Sequence, residues 1–261
     1  SMKPFYQLLE WLEHYRLGKN NEKLSIETHT NEFRKLNEAV SRYVAHSEEV
    51  FEKQKQFIGN ASHELQTPLA ICQNRLEMLL EDETLGEQQM SEIMKTYQTL
   101  EYLSKLNKSL LLLSKIDNHQ FSEEKEVCLN EVLHRYMDDY QEVYAYRDIT
   151  LTVEEEGEFY CRMNETLAVV LITNLLKNAF VHNINKGSIR IVVSSSGIRF
   201  GNTASGSALD ASRVFDRFYQ GSKKKEGSTG LGLAIVDAVC RHSSLKIRYR
   251  FEEDMHWFEV C

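Results

Sequence analysis

The sequence predicts a multi-domain chain: an all-α helical hairpin, completed as a four-helix bundle in a dimer, followed by an α/β sandwich domain. Two long apolar seams at helical spacing predict the first part, and a later change to mixed helix and strand patterns predicts the second. From Phe33 the apolar positions Phe33, Leu36, Val40, Tyr43, Val50, Phe57, Ala61, Leu65, Leu69, Cys72, Leu76 and Leu79 recur mostly at three- and four-residue steps, with polar Ser47 and Gln54 in the gaps. That is one long helix with one sticky face. Residues 81–88 carry turn and polar side chains, after which Ile93, Tyr97, Leu100, Leu103, Leu106, Leu110 and Leu113 repeat the pattern on a second helix. A hairpin alone leaves much of both seams wet, so a second copy of the chain is the expected partner.

Residues 118–126 are polar and read as a linker. Beyond them the pattern predicts a helix over 129–146, strands over 149–153 and 189–193, helices over 164–181 and 231–241, and alternating strand character at the end. At the other end, Lys3-Pro4-Phe5 opens an amphipathic stretch that passes through a polar connector, about residues 17–30, into the long helix. The reading is therefore residues 1–50 as entry helices, 51–118 as the hairpin, 119–126 as linker and 127–261 as the α/β domain.

Composition narrows the function classes. The 261 residues are 42% hydrophobic and 27% charged, enough apolar material for one or two ordinary cores. The formal charge is -8 with dispersed cations, which argues against a nucleic-acid partner. Five cysteines with no CxxC pair read as reduced thiols in a cytosol-like compartment. No run approaches the roughly 20 apolar residues that span a bilayer, so a soluble chain is expected, and Ser1-Met2 reads as a cleavage scar on a fragment of something longer.

The densest local signal is Phe57-Ile58-Gly59-Asn60-Ala61-Ser62-His63-Glu64-Leu65-Gln66-Thr67-Pro68-Leu69. At about 100° per residue, His63 lies roughly 200° from both Ala61 and Leu65 and so points away from the seam, to solvent. An exposed imidazole can present one nitrogen as nucleophile when the other is held as a donor, and the adjacent Glu64 could take that proton. Thr67 follows one turn later. Pro68, one of two prolines, interrupts a helical pattern where it removes a hydrogen bond and favours a kink.

A second group of residues suits a phosphorylated ligand. Asn174 and Asn178 place two carboxamides at i and i+4 on one helix face; such pairs can offer hard oxygen ligands to Mg²⁺ or merely cap and bond locally. His182 and Asn183 extend the same helix end, where they can line the edge of a nucleotide. Gly227-Ser228-Thr229-Gly230-Leu231-Gly232-Leu233 precedes an apolar helix, where glycines let backbone N–H groups approach phosphates, although a glycine loop alone is equally a flexible turn. Residues 221–226, with Lys223, Lys224 and Lys225, read either as a mobile lid or as a solvated loop.

Ser62-His63-Glu64-Leu65-Gln66-Thr67-Pro68-Leu69 resembles the phosphoacceptor box of bacterial sensor histidine kinases. The run Asn174 to Ala179, then Phe215-Asp216-Arg217-Phe218, then Gly230-Leu231-Gly232-Leu233-Ala234 is similar to that family's asparagine, phenylalanine and glycine boxes in their order. The resemblance covers about residues 54–260 and implies an ATP-binding domain of the GHKL type. It implies that the chain is a protein-histidine kinase in which His63 accepts the phosphoryl group, Glu64 acts as base and Thr67 orients water in a reverse, phosphatase reaction. It further implies ATP and Mg²⁺ as cofactors, with Asn178 on the metal, Asn174 supporting the phosphates, and His182, Arg217, Gly230, Leu231 and Gly232 around the nucleotide. The cognate response regulator and a second copy of the chain are the implied partners. The first 50 residues resemble a HAMP signal-transfer module, which implies the cytoplasmic portion of an inner-membrane parent.

One departure stands out. Where the family's first glycine box begins with Asp, this chain has Asn202-Thr203-Ala204-Ser205-Gly206. Asn202 still presents a carbonyl oxygen to the adenine amino group, as a neutral and weaker acceptor. Ala204 would cost on the order of 1 kcal/mol if its position required positive φ. Two rival readings follow: a catalytically weak dimeric signalling scaffold, and a GHKL ATPase of another class, which would have no use for the His63 segment.

Overall fold

The computed structural model describes residues 3–15, 17, 30–82, 84–121, 123–203, 206–221 and 228–261. Those residues belong to two compact units, Ser1–Ala61 and Ser62–Cys261. The first holds α1 (Lys3–His14) and the opening of α2 (Asn31–Leu80), with the Tyr15 hydroxyl donating to Glu48 Oε1 at 2.7 Å. Most of the polar connector lies outside the described residues.

In the second unit, α2 runs without interruption through Pro68 to Leu80. The turn beyond it is fixed by Asp82, whose carboxylate accepts from the Thr84 N–H at 2.9 Å and hydroxyl at 2.6 Å; those bonds hold its carboxyl below the usual aspartate range. The return helix α3 (Glu87–Asp117) starts where Gln89 Oε1 accepts the Gly86 N–H at 3.1 Å. Its seam changes use along its length. Leu113 and Ile116, each 2% exposed, enter the core of the α/β part, where the end of α3 packs on α6 (Gly232–His242).

The α/β part comprises β1 (Lys125–Cys128), α4 (Leu129–Val143), β2 (Thr150–Glu155), β3 (Tyr160–Met163), α5 (Glu165–Val181), β4 (Ser188–Ser194), β5 (Gly197–Thr203), α6, β6 (Ile247–Glu252) and β7 (Met255–Val260). The main sheet has the order β2-β4-β5-β7-β6, with β2 and β4 parallel and the remaining neighbours antiparallel; β1 and β3 form a separate antiparallel pair. One sheet face is apolar: Ile189, Ile191, Val193, Ile198, Phe200, Phe258 and Val260 are buried with Leu171, Leu175 and Val239 of the helices. Gly201 shows why a glycine stands in mid-strand, since a Cβ there would meet the Trp257 ring at 2.7 Å.

Three sequence expectations change. The linker is shorter than residues 118–126, because Lys125 and Glu126 pair with β3 as part of β1. The helix expected over 129–146 ends at Val143, and a 3₁₀ turn at Ala145–Arg147 follows. The expected strands and helices omitted β1, β3 and β5; β1 and β3 have four residues each, too few for a period to show.

Candidate active site

His63 is exposed on α2, as its helical angle predicts, and so are Glu64 and Thr67. No hydrogen bond joins His63 to Glu64 in this structure. The neighbouring residue instead anchors the segment: Ser62 is 4% exposed and its carbonyl accepts a 2.6 Å bond from Nδ2 of Asn107, itself 6% exposed. A buried amide that reaches across the hairpin fixes the rotation of α2 and turns the next side chain outward. Asn107 was not singled out in the sequence; its signal is a polar residue inside the Leu103, Leu106, Leu110 stripe.

The second cluster gathers on α5 and the start of α6. Asn164 caps α5, its Oδ1 accepting the Thr166 and Leu167 N–H groups. Nearly three turns on, Asn174 donates Nδ2 to Val170 O at 2.8 Å, which leaves Oδ1 facing Gly232, where an added Cβ would stand 3.4 Å from it. Asn178 is half-buried on the same face, and its carboxamide has no hydrogen bond among the described residues. Desolvation, with repulsion from Lys105, holds the ammonium of Lys177, the residue before Asn178, below the usual lysine range. His182 is exposed at the C-cap, whereas Asn183 is 3% exposed and committed to structure through Ser188 O at 3.0 Å and the Ile184 N–H at 2.9 Å. That corrects the expectation that Asn183 lines a nucleotide.

The glycine loop and the phenylalanine box interlock. Gly230 has φ +68 and its carbonyl accepts the Phe218 N–H at 2.9 Å; a Cβ at Gly230 would stand 2.9 Å from the Phe218 backbone. Only glycine fits there without strain. Leu231 is fully buried, so its side chain anchors the loop and only its backbone can face a ligand. α6 then begins at Gly232 with no side-chain cap, leaving first-turn N–H groups beside Asn174. Arg217 points elsewhere: its Nη2 pairs with Asp117 Oδ2, 2.9 Å away at the end of α3. Gly206 is exposed, and a Cβ there would meet nothing within 4 Å. Ala204, Ser205 and the expected lid residues Ser222 to Glu226 lie outside the described residues.

Asn202, the penultimate residue of β5, lies on the helix-facing side of the sheet and is 1% exposed, with Nδ2 3.4 Å from Thr203 O. Arg147, unremarkable in the sequence, holds the far end of α5. Its guanidinium bonds the carbonyls of Phe180, of Val181 at 3.3 Å and of Asn183 at 2.6 Å, and Asn185 Oδ1 at 3.0 Å. A fixed cation under helix C-terminal carbonyls stabilises the helix that carries both carboxamides.

Among the described residues no cluster of three His, Cys, Asp or Glu side chains could hold a metal. A divalent cation here would rely on carboxamide and phosphate oxygens, which suit Mg²⁺. An unpartnered carboxamide, a second one facing a glycine, and an uncapped helix start fit a metal–nucleotide ligand.

Comparison with known proteins agrees with this geometry. Residues 53–119 match the His Kinase A (phospho-acceptor) domain, and residues 163–256 match the family described as histidine kinase-, DNA gyrase B- and HSP90-like ATPase. The chain is 30% identical over 200 residues to the sensor histidine kinase RppB of a Synechocystis species, covering 72% of this chain and 44% of that protein. It is 28% identical over 246 residues to the heme sensor protein HssS of Staphylococcus saprophyticus, covering 91% and 52%. The chain thus spans about half the length of the curated relatives it matches. In fold it is similar to full-length ShkA in complex with AMPPNP, with a TM-score of 0.63 at 20% identity over 78% of this chain and 45% of that one. The histidine kinase AdeS of Acinetobacter baumannii gives a TM-score of 0.52 at 20% identity over 76% and 95%. With both domains matched in order and the hairpin and α/β sheet in place, the chain belongs to the bacterial sensor histidine kinases, of which it carries the phosphoacceptor and ATPase domains.

Proposed function

We propose that this chain is the cytoplasmic kinase portion of an inner-membrane two-component sensor, which uses ATP to phosphorylate His63 and passes the phosphoryl group to an aspartate of its cognate response regulator. The observation that carries the reading is one compact unit holding both an outward-facing His63 on a buried Ser62–Asn107 anchor and a carboxamide pair beside an uncapped helix start. His63 supplies a nucleophilic ring nitrogen, and Glu64 accepts the proton from the other. Asn178 would hold Mg²⁺, which supplies charge neutralisation on the phosphates; Asn174 and the Gly230–Gly232 backbone would hold the phosphates themselves. Asn202 accepts from the adenine amino group, and Thr67 orients water in the reverse reaction.

Residues 51–118 are proposed to dimerise, since α2 leaves the seam residues Leu65 53% exposed and Leu79 45% exposed in one chain. Residues 1–50 would relay the signal in the manner of a HAMP module. Among the described residues no helix is long and apolar enough to cross a membrane, so an anchor would lie elsewhere in the parent.

Two variants test the division of labour. His63→Ala should abolish labelling by ATP while nucleotide binding by calorimetry stays unchanged. Asn178→Ala should weaken Mg²⁺-dependent binding and labelling together. Labelling that survives His63→Ala contradicts the proposal, and ATP binding without any labelling of the unaltered chain favours the scaffold reading.

A further inference from the structure

We propose that His256 is a second reader of the nucleobase, donating from Nε2 to adenine N1 while Asn202 accepts from the amino group beside it. The inference rests on the reading of Asn202 given above and extends it to a residue that lies outside the boxes.

The strand register brings the two residues together. Asn202 of β5 is directly opposite His256 of β7, just as Phe200 is opposite Phe258 two residues further in. Side chains two apart in a strand share a face, so Asn202 and His256 both lie on the helix side that Phe200 and Phe258 fill. Opposed residues have Cβ atoms about 5 Å apart, a spacing that suits two adjacent atoms on one edge of a base. His256 is half-buried here, where its apolar neighbours in the row end, and Phe251 stands beside it with ring centroids 5.2 Å apart.

Its two nitrogens are not equivalent. Nδ1 lies 2.8 Å from the Tyr249 hydroxyl, and that hydroxyl oxygen also accepts the Leu209 N–H at 2.9 Å. A hydroxyl has one hydrogen to give. With Leu209 already on one lone pair, the Tyr249 hydrogen has one acceptor among the described residues, Nδ1, and the ring proton is therefore placed on Nε2. Nε2 has no protein partner among those residues. Burial also favours the neutral ring.

The resulting pair presents an acceptor, Asn202 Oδ1, beside a donor, the His256 Nε2–H. Adenine offers the complement, an amino donor beside the N1 acceptor, whereas guanine offers a carbonyl acceptor beside an N1–H donor and meets two mismatches. The Asn202 amide cannot supply both contacts while its Nδ2 is turned along the strand to Thr203 O. Tyr249 is a positioning residue in this scheme, because it sets the tautomer and ties the loop at Leu209 to the same ring.

Calorimetry on the full chain with ADP, GDP and 1-deaza-ADP, which lacks the N1 acceptor, tests the assignment. The unaltered chain should bind ADP about three- to tenfold more tightly than 1-deaza-ADP, the worth of one neutral hydrogen bond. His256→Leu should bring ADP down to the affinity of 1-deaza-ADP, and His256→Gln, which keeps an N–H donor, should restore part of the difference. Equal binding of ADP and 1-deaza-ADP by the unaltered chain overturns the proposal without any variant having to fold, as does a ratio that persists in His256→Leu. Asn202→Ala separates the two layers: it should weaken ADP and 1-deaza-ADP alike and keep their ratio. Unchanged ADP affinity in Asn202→Ala overturns the reading of Asn202 itself.

Discussion

The helices α2 and α5 finish differently, and α5 is much the more apolar of the two. α5 buries Leu167, Ala168, Leu171, Ile172, Leu175, Leu176, Ala179 and Phe180 within its own chain. Among the described residues of α2, which is nearly three times as long, Ser62 is the buried side chain, and Leu65, Ile71, Met78 and Leu79 stay exposed. One chain thus completes the α/β part and leaves apolar side chains of the phosphoacceptor helix exposed, which the proposed dimer would cover. The contrast separates stability from assembly: substitutions in α5 should act on folding, and those on the α2 seam on association.

The largest effect should come from the finished side. Leu175→Ala removes a side chain 1% exposed and should cost about 2–5 kcal/mol in urea unfolding, with the oligomeric state unchanged. The seam should respond in the opposite way. Leu65→Glu, or a polar residue at Leu100, should convert a dimer to a monomer in sedimentation at micromolar concentration while the α/β part keeps its thermal transition. A monomeric unaltered chain would break the comparison.

Smaller changes sharpen it. Asn107→Ala deletes one buried bond to Ser62 O and should cost about 1 kcal/mol, less than the core deletion and without dissociating the dimer. Asp117→Asn disrupts the pair with Arg217, whose side chain is 49% exposed, and should change stability by less than about 1 kcal/mol, with the difference fading in salt. The weakest signal is pH dependence. Burial holds His256 and His242 below the usual histidine range, so below about pH 6.5 the unfolded chain binds more protons than the folded one. Stability from these groups is complete above that pH and declines on acidification, by at most about 1.4 kcal/mol per pH unit for each. Urea midpoints of His256→Gln between pH 5 and 8 should show a shallower decline.

The same contrast explains what could be read from the sequence. α2, α3, α5 and α6 announce themselves because an apolar period repeats over many turns, and the His63 segment does so through a local string of unusual residues around Pro68. β5 hides behind Gly197, Gly201 and Asn202, residues that disfavour strands in isolation; Gly201 is there because Trp257, far along the chain, lies across it. The candidate site divides likewise. Asn174 and Asn178 are visible as a spacing on one helix. The Asn107–Ser62 anchor, the Arg147 cap, the Tyr249–His256 pair and the turn of Arg217 toward Asp117 are contacts between separated segments, the last spanning 100 residues. No periodicity encodes them.

The central claim is that His63 carries the phosphoryl group, and the chemistry of the labelled residue tests it most directly. The unaltered chain, incubated with γ-labelled ATP and Mg²⁺, should acquire label that is stable in base and lost in acid, as a phosphoramidate is, and peptide mapping should locate it at His63. Label that survives acid, or that maps to any other residue, would contradict the account.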